Sequence, residues 1–435
     1  MDQLYSILRG IFGIVSILGI AWFFSSDRKA INYRLVASGL ALQFALALFI
    51  LKTDTGKYIF GKIGSAITKV LDYASVGGRF VFGAIAKPEL MGKVFGPENA
   101  VIFSLTVLIP TIIFVCVLVA IGYYFGIIQK VVELLARAVH SLMRVSGAEA
   151  LSNVASAFVG QVEAQIMIRP YLATMTKSEL LASMAGSMAC IAGGVMAIYI
   201  TFGIPASALL AASLMAAPGA LVISKIFLPE TEESQTKGKI KLDVKKEYAN
   251  LIDAISGACS DGLRIALNVI AMIVGFLALI ALLDGILGKI GGTLNYCAMM
   301  LEAKSGMNLP DFDLTNISLK SILSIVFAGF AWLMGIPNQD IWNAAQLLGT
   351  KFVANEFVAY LDLVQMKSIM TEKSFVITSI ALCGFANLSS VGIQIGGISV
   401  LVPERRAELS ELGMKALFCG TLASYLSATI AGMLM

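Results

Sequence analysis

A long charge-free stretch runs from Leu180 to Ser224 and reads LLASMAGSMACIAGGVMAIYITFGIPASALLAASLMAAPGALVIS. A helix rises about 1.5 Å per residue, so about 20 apolar residues cross the roughly 30 Å hydrocarbon core of a bilayer. The stretch therefore predicts two membrane-spanning helices with a break near Gly203–Pro205. Other charge-free runs predict further spans, at Gly10–Ser26, Leu35–Leu51, Ala100–Gln129, Ile265–Leu283, Ser374–Val402 and Ala416–Met435.

The composition of the chain also indicates a membrane protein. Of its 435 residues, 58% are hydrophobic and 14% are charged, whereas soluble domains have about 45–50% apolar and about 25% charged residues. A soluble protein this apolar could not cover its surface with polar side chains. We therefore expect an all-α polytopic membrane protein with about eight transmembrane helices.

The basic residues lie between the predicted spans, so the net charge of +4 does not indicate binding to nucleic acid. They concentrate in four segments, at residues 28–34, 130–144, 225–246 and 405–415. Cytoplasmic loops of membrane proteins are enriched in Lys and Arg. These segments predict a multi-pass protein of the cell (inner) membrane with both termini outside. The segment 52–93 opposes this orientation with seven basic residues, but it is longer and also carries acidic residues.

Side chains that catalysis or metal binding would need are scarce. The six cysteines lie singly in apolar surroundings, and His140 is the only histidine. The chain has no H-E-x-x-H motif, no G-x-S-x-G motif and no phosphate-cradling glycine loop. We therefore expect neither an enzyme nor an organic cofactor.

Some segments between the spans are neither spans nor ordinary loops. Ile127–Val145 and Tyr58–Tyr73 have apolar residues at helical spacing with charges opposite, which is typical of helices at a membrane surface. Pro229–Lys246 is polar and predicts a cytoplasmic loop. Gly285–Lys320 mixes Gly, Asn, Asp and Pro, and we expect it outside.

The two halves of the chain repeat each other. Each contains a short interrupted apolar stretch with a glutamate, followed by a span with a cysteine. Glu163 and Glu356 are 193 positions apart (356 − 163), as are Cys190 and Cys383 (383 − 190). Three predicted spans separate the two stretches, so they enter the membrane from opposite faces. Such an inverted repeat marks the midplane site of secondary transporters, with chance similarity of Gly-rich segments as the alternative.

The two glutamates lie at membrane depth, where a carboxylate costs about 2.5–3.5 kcal/mol. We therefore expect them to face a cavity, a ligand or a helix end. Amides and hydroxyls accompany them at Gln161, Asn355, Asn387, Ser389 and Ser390. This set suits a neutral, polyhydroxylated solute, such as a sugar diol with a heterocyclic base. Structural or proton-carrying glutamates are the alternative.

Four motifs resemble those of the concentrative nucleoside transporters. They are GQVEA at Gly160–Ala164, ACIAGGV at Ala189–Val195, KFVANEFVAY at Lys351–Tyr360 and ALCGFANLSS at Ala381–Ser390. The resemblance covers the chain from the first span to the last. It implies a sodium-coupled symporter for nucleosides such as uridine, cytidine or adenosine. It also implies a homotrimer, in which a scaffold holds a transport domain of two re-entrant hairpins and two broken helices that moves as an elevator.

The resemblance also implies a division of the chain into scaffold and transport segments. The scaffold and loop segments are expected at residues 1–125 (mainly scaffold), 229–250 (cytoplasmic loop) and 251–336 (scaffold span and external segment). The transport halves are expected at 126–228, with hairpin 147–171 and broken helix 177–203, and at 337–435, with hairpin 337–360, broken helix 374–402 and the last span.

Site residues carry over from the family by matching position. The residues expected to contact the nucleobase are Gln161, Val162, Glu163 and Val195. Those expected to hold the ribose are Glu356, Asn387 and Ser390, and Phe385 and Ile265 are expected to wall the pocket. The expected sodium ligands are Ser156, Val159, Cys190 and Ile191.

Three positions depart from the family pattern. Ser156 stands where an asparagine is expected and Cys190 where a hydroxyl is usual, and both changes weaken hard-oxygen coordination of an alkali cation. Val162 replaces a hydroxyl residue beside the base. A proton-coupled nucleoside carrier and an ion-coupled carrier of another small polar solute are therefore the alternatives.

Overall fold

The computed structural model describes residues 2–86, 108–236, 248–305 and 317–435. These residues form nineteen α-helices, α1 to α19 in chain order, with short 3₁₀ turns and no strand among them. Parts of four predicted segments lie outside the described residues: the end of the segment 52–93, the start of the span Ala100–Gln129, residues 237–247 of the loop 229–250 and residues 306–316 of the segment Gly285–Lys320.

The helices follow the predicted order of spans, surface helices and interrupted stretches. The early helices are α1 (Asp2–Phe23), α2 (Tyr33–Lys52), α3 (Asp54–Asp72), α4 (Ala74–Phe82), α5 (Ile109–Tyr124) and α6 (Ile127–Met143). The first interrupted region comprises α7 (Gly147–Ser156), α8 (Glu163–Met167), α9 (Arg169–Leu172), α10 (Lys177–Ala189), α11 (Gly193–Thr201) and α12 (Ala206–Phe227). After α13 (Leu251–Ser305) and α14 (Leu319–Leu333), the second region comprises α15 (Ile341–Val353), α16 (Glu356–Gln365), α17 (Glu372–Leu382), α18 (Leu388–Leu401) and α19 (Arg406–Leu434).

Within the described residues, six helices are long and apolar enough to cross a membrane. They are α1, α2, the combined α10–α11, α12, part of α13, and α19 with the turn before it. The pair α5–α6, bent by 74°, supplies a seventh candidate. Two further apolar helices, α14 and α18, are shorter than this. The prediction of an all-α polytopic protein is confirmed.

Side-chain caps begin the helices of both interrupted regions. Ser146 caps α7 and Thr176 caps α10, each in a capping box with Glu149 or Glu179. Thr371 caps α17 in the second region. These side chains accept hydrogen bonds from backbone N–H groups that the first helical turn leaves unpaired. Short helices at membrane depth therefore begin with few unsatisfied groups.

The two broken helices, α10–α11 and α17–α18, meet at their breaks. The N–H of Phe385 donates to the carbonyl of Cys190 at 3.2 Å. Gly384 has φ +134°, and a Cβ there would lie 2.6 Å from the carbonyl oxygen of Ala189. Only glycine permits this backbone conformation at this distance. The breaks of the two repeats thus pack directly on one another.

The helix α13 is longer than the span predicted at Ile265–Leu283. It continues to Ser305, through most of the part expected outside, and the window that could span a membrane is Leu277–Tyr296. No proline occurs between residues 251 and 305, so no residue removes a backbone donor from the helix. The Gly, Asn and Asp residues of this part did not end the helix because single weak helix formers cost only about 1 kcal/mol each.

A buried ionic cluster joins the start of α7 to the end of α12. The ammonium of Lys225 lies 2.8 Å from a carboxylate oxygen of Glu149 and 3.1 Å from one of Glu230. Lys225 and Glu149 are both buried, so each charge depends on the other. The cluster holds the start of α7 against the end of α12.

Candidate functional site

The Glu356 carboxylate is held by three separate elements. It belongs to the first residue of α16 and is only 6% exposed. Its Oε2 accepts a hydrogen bond from Nδ2 of Asn387 at 2.9 Å, and its Oε1 accepts one from the hydroxyl of Tyr199 at 3.3 Å. Asn387 lies in the break before α18, and Tyr199 lies on α11. The carboxylate is therefore positioned by both repeats.

Asn387 is oriented by the helix that it caps. Its Oδ1 accepts hydrogen bonds from the backbone N–H of Ser390 at 2.9 Å and from the hydroxyl of Ser389 at 2.7 Å. The oxygen of an asparagine accepts and its nitrogen donates, so this capping leaves Nδ2 directed at Glu356. The amide and the carboxylate form a preorganised pair that has further acceptor capacity on the carboxylate.

The first interrupted region presents a second carboxylate. Glu163, the first residue of α8, is exposed, and its carboxylate folds over Gly160, where a Cβ would lie 2.0 Å from Oε2. In the neighbouring Gln161, Oε1 is buried and has no hydrogen-bond partner in the described part of the chain. A carboxylate and an amide oxygen are therefore available here to accept hydrogen bonds from a ligand.

The two carboxylates line a single cavity of about 940 Å³. Nine of the predicted site residues line it: Val159, Gln161, Glu163, Val195, Ile265, Glu356, Phe385, Asn387 and Ser390. The cavity has the size and mixed lining of a small-molecule site, with apolar walls and a few polar groups. It offers carboxylates, amides and an aromatic ring to one ligand.

The structure does not bring Val162, Ser156, Cys190 or Ile191 to the cavity wall. Val162 packs against Gly397 of α18. A Cβ added at Gly397 would lie 2.6 Å from the Cγ2 of Val162. The other three side chains are buried behind the wall. Val162 therefore contacts α18 and does not line the cavity.

The predicted ion ligands lie in a buried polar network between α7 and α10. The hydroxyl of Ser156 donates to the carbonyl of Ser152 at 2.8 Å and lies 2.8 Å from the hydroxyl of Ser187. Ser187 also accepts from Nε2 of Gln165 at 2.8 Å. The thiol of Cys190 lies 3.9 Å from the carbonyl of Asn153. Hydroxyls, an amide and a thiol thus occupy this region.

Sequence reasoning missed Tyr199 as a site residue. Its hydroxyl reaches Glu356, and its ring lies 4.2 Å from that of Tyr360, centroid to centroid. A tyrosine in a charge-free run has an apolar body and a polar end that needs a partner, which was the available signal. Other residues that were not predicted also line the cavity: Tyr123, Tyr124, Gln129, Arg169, Tyr248 and Asp261.

Three family models match successive parts of the chain. Residues 12–85 match the Na⁺ dependent nucleoside transporter N-terminus, residues 105–206 match a nucleoside recognition domain called Gate, and residues 208–432 match the Na⁺ dependent nucleoside transporter C-terminus. Together they cover nearly the whole sequence.

Two bacterial relatives match this chain over nearly their whole length. An uncharacterized transporter of Haemophilus influenzae is 39% identical over 434 residues, covering 98% of each chain. The nucleoside permease NupC of Helicobacter pylori is 36% identical over 436 residues, covering 99% of this chain and 98% of its own. The solved structure of CNTnw in an inward-facing substrate-bound state has a TM-score of 0.87 at 36% identity, covering 98% of this chain and 97% of that one.

Proposed function

We propose that this chain, which belongs to the family of Na⁺-dependent, concentrative nucleoside transporters, imports nucleosides across the membrane in symport with a cation. The family consists of multi-pass membrane transporters and not of enzymes. The observation that carries the proposal is that Glu163 and Glu356, one from each repeat, line the same cavity.

The polar groups of the second repeat suit the ribose. The Glu356 carboxylate accepts from Asn387 and Tyr199 and has acceptor capacity left for vicinal hydroxyls of a sugar. Ser390 lines the cavity beside them. Hydrogen bonds to a charged group contribute about 1.5–3 kcal/mol each, so a few of them approach the roughly −8 kcal/mol of micromolar binding.

The groups of the first repeat suit the nucleobase. Gln161 and Glu163 offer acceptors to the edge of a heterocycle, and Val195 and Ile265 supply apolar walls. Phe385 adds a ring on which a planar base can stack. The roles of these residues are our proposal for how one cavity binds a base and a sugar together.

The residues that line the cavity support alternating access, with this structure in an inward-facing state. The cavity extends to Gln129 and Arg169, which lie at the side that the distribution of Lys and Arg predicts to be cytoplasmic. We propose that the two hairpins and broken helices, within residues 126–228 and 337–435, move as one elevator domain against the remaining scaffold. A homotrimer belongs to this proposal, since the window Leu277–Tyr296 of α13 is only 6% buried and leaves an apolar surface for lipid or other copies.

Sodium is the first candidate for the coupling ion, because the relevant family is Na⁺-dependent. Protons are a second candidate, because the position of the predicted sodium ligands holds a connected set of hydroxyls and an amide, Ser156, Ser187 and Gln165. Such a network can hold a proton, whereas the thiol of Cys190 in the same region supplies no hard oxygen of the kind that an alkali cation prefers.

Uptake of radiolabelled uridine and adenosine into liposomes tests the proposal. We expect Glu356→Gln to lower uridine uptake at least tenfold, because loss of the charged acceptor costs about 1.5–3 kcal/mol. Setting the sodium gradient and the proton gradient separately identifies the coupling ion. If sodium is the coupling ion, replacing it by choline should abolish uptake.

Glu404→Gln is a matched control, because Glu404 is exposed and does not line the cavity. It should transport like the unchanged protein. Uptake of 2′,3′-dideoxyuridine as fast as uridine would contradict the ribose assignment, and absence of nucleoside uptake under either gradient would contradict the function.

A further inference from the structure

A fully buried lysine lies in the second hairpin, outside the cavity. Lys351 is on α15 and is 1% exposed, and it does not line the cavity with Glu163 and Glu356. Burying an ammonium is costly unless opposite charge or acceptors surround it. Its presence here therefore needs a specific partner.

The partner is a backbone carbonyl at the end of α17. The Nζ of Lys351 donates to the carbonyl of Ala381 at 2.9 Å. In a continuous helix that carbonyl would accept from the N–H of Phe385, but this N–H donates to Cys190 in the other repeat. The break thus leaves the carbonyl free, and the ammonium occupies the position.

The end of a helix attracts cations because its unpaired carbonyls carry partial negative charge. A second side chain of the same hairpin also reaches this end of α17, where the hydroxyl of Tyr360 donates to the carbonyl of Ser379 at 2.6 Å. The second hairpin therefore closes the end of the broken helix with one cation and one neutral donor.

The first repeat closes the matching end of α10 without a cation. There, in the last turn of α10, the hydroxyl of Ser156 lies 2.8 Å from that of Ser187. The repeat offset of 193 places Phe158 at the position of Lys351 (351 − 193). The two repeats thus differ in charge at equivalent ends of their broken helices.

The same hairpin also holds a buried acid. Glu356, 6% exposed, lies five positions along the chain from Lys351, 1% exposed, and water screens opposite charges that are both buried only weakly. Glu356 is the acid to which we assigned the ribose, so removing the charge of Lys351 should also be felt at the carboxylate that accepts hydroxyl hydrogen bonds.

We propose that Lys351 is the built-in cation of the second repeat: it takes the place of a dissolved ion at the end of α17 and compensates the charge of Glu356. Lys351 is a positioning residue, because it does not line the cavity and acts through Glu356 and the broken helix α17–α18. The second half then crosses the membrane electrically balanced, and a coupling ion is needed only in the first half. The effect of Lys351 on ribose binding rests on the proposed nucleoside transport. The charge compensation itself does not.

A double-mutant cycle on nucleoside-free protein in detergent tests the charge compensation. The variants are Lys351→Met, Glu356→Gln and the double variant, and the readout is the thermal unfolding temperature. We expect each single variant to lower it, because each leaves one buried charge unbalanced, and the double variant to unfold above the value that adding the two shifts gives. Strictly additive shifts would overturn the proposal, since they indicate a lysine that only fills space.

Lys320→Met is the matched control, because Lys320 forms a partly exposed pair with Asp362 in the same region. It should shift the unfolding temperature little. Uridine binding gives a second measurement: Lys351→Arg, which keeps the charge, should bind within about threefold of the unchanged protein, and Lys351→Met should bind at least about tenfold more weakly. Equal binding by both variants would overturn the role at Glu356. The unfolding cycle needs no nucleoside, so its result is independent of the proposed function.

Discussion

At the scale of single residues, the two hairpin acids occupy different environments. Glu163 is exposed over Gly160, whereas Glu356 is buried and holds two hydrogen bonds. The sequence pattern treats them as equivalent members of a repeat. Their neighbours make them different, and Tyr199 is the neighbour that the pattern did not identify.

Tyr199→Phe removes only the hydroxyl that donates to Glu356. The bond is long, at 3.3 Å, so we expect a loss of about 1 kcal/mol and about fivefold weaker uridine binding. Isothermal titration measures the affinity. Tyr425→Phe makes the same deletion at a buried tyrosine away from the cavity and should bind normally. Unchanged binding by Tyr199→Phe would remove Tyr199 from the site.

At the scale of elements, the breaks in the two long helices organise the site. Each break frees backbone groups, which are tolerated at membrane depth only when other protein groups or a cavity satisfy them. The contact from Phe385 to Cys190 satisfies one pair across the repeats. The crossing of the breaks therefore needs a close approach of two backbones, which Gly384 permits.

Gly384→Ala should disturb this crossing. The new methyl would lie 2.6 Å from the carbonyl of Ala189, and the φ of +134° is unfavourable for alanine, so we expect a loss of about 1–3 kcal/mol of stability. Thermal unfolding in detergent measures it. Gly392→Ala is the control in the same broken helix, because a Cβ there meets open space and alanine favours a helix. Equal unfolding temperatures for the two variants would contradict this account of the crossing.

At the scale of the whole molecule, the cavity lies between the proposed elevator domain and α5 and α13. Cys116 on α5 lines it together with Glu163 and Ile265. It is only partly buried, while Cys190, Cys383 and Cys419 are buried. Chemical labelling of this native thiol can therefore measure the accessibility of one wall of the cavity.

Labelling of Cys116 by a membrane-impermeant thiol reagent should depend on side and on ligand. We expect faster labelling from the cytoplasmic side. Uridine at about ten times its Kd should lower the labelling rate about tenfold, because about one tenth of the sites then stay free. Mass spectrometry of the labelled peptide measures the rate, and Cys116→Ser defines the background from other cysteines. Labelling that uridine does not slow would place the ligand elsewhere.

Much of the candidate site followed from the sequence. Charge-free runs identified most of the spans, and the matching positions of Glu163 and Glu356 identified the two interrupted stretches, because the cost of a carboxylate in a bilayer leaves few other roles. The individual site residues followed from the resemblance to the family. Nine predicted site residues line the cavity. Their roles in binding stay predictions that the experiments above test.

The sequence by itself determined the membrane class, the repeat and the acids, because hydropathy and charge act locally and add up along a chain. Only the tertiary structure decided which distant groups meet. The contact of Tyr199 with Glu356, the packing of Val162 against α18 and the placement of Lys351 at the end of α17 all join separate helices. Such contacts depend on how rigid helices pack and cross, and a spacing pattern within one segment carries no information about that geometry.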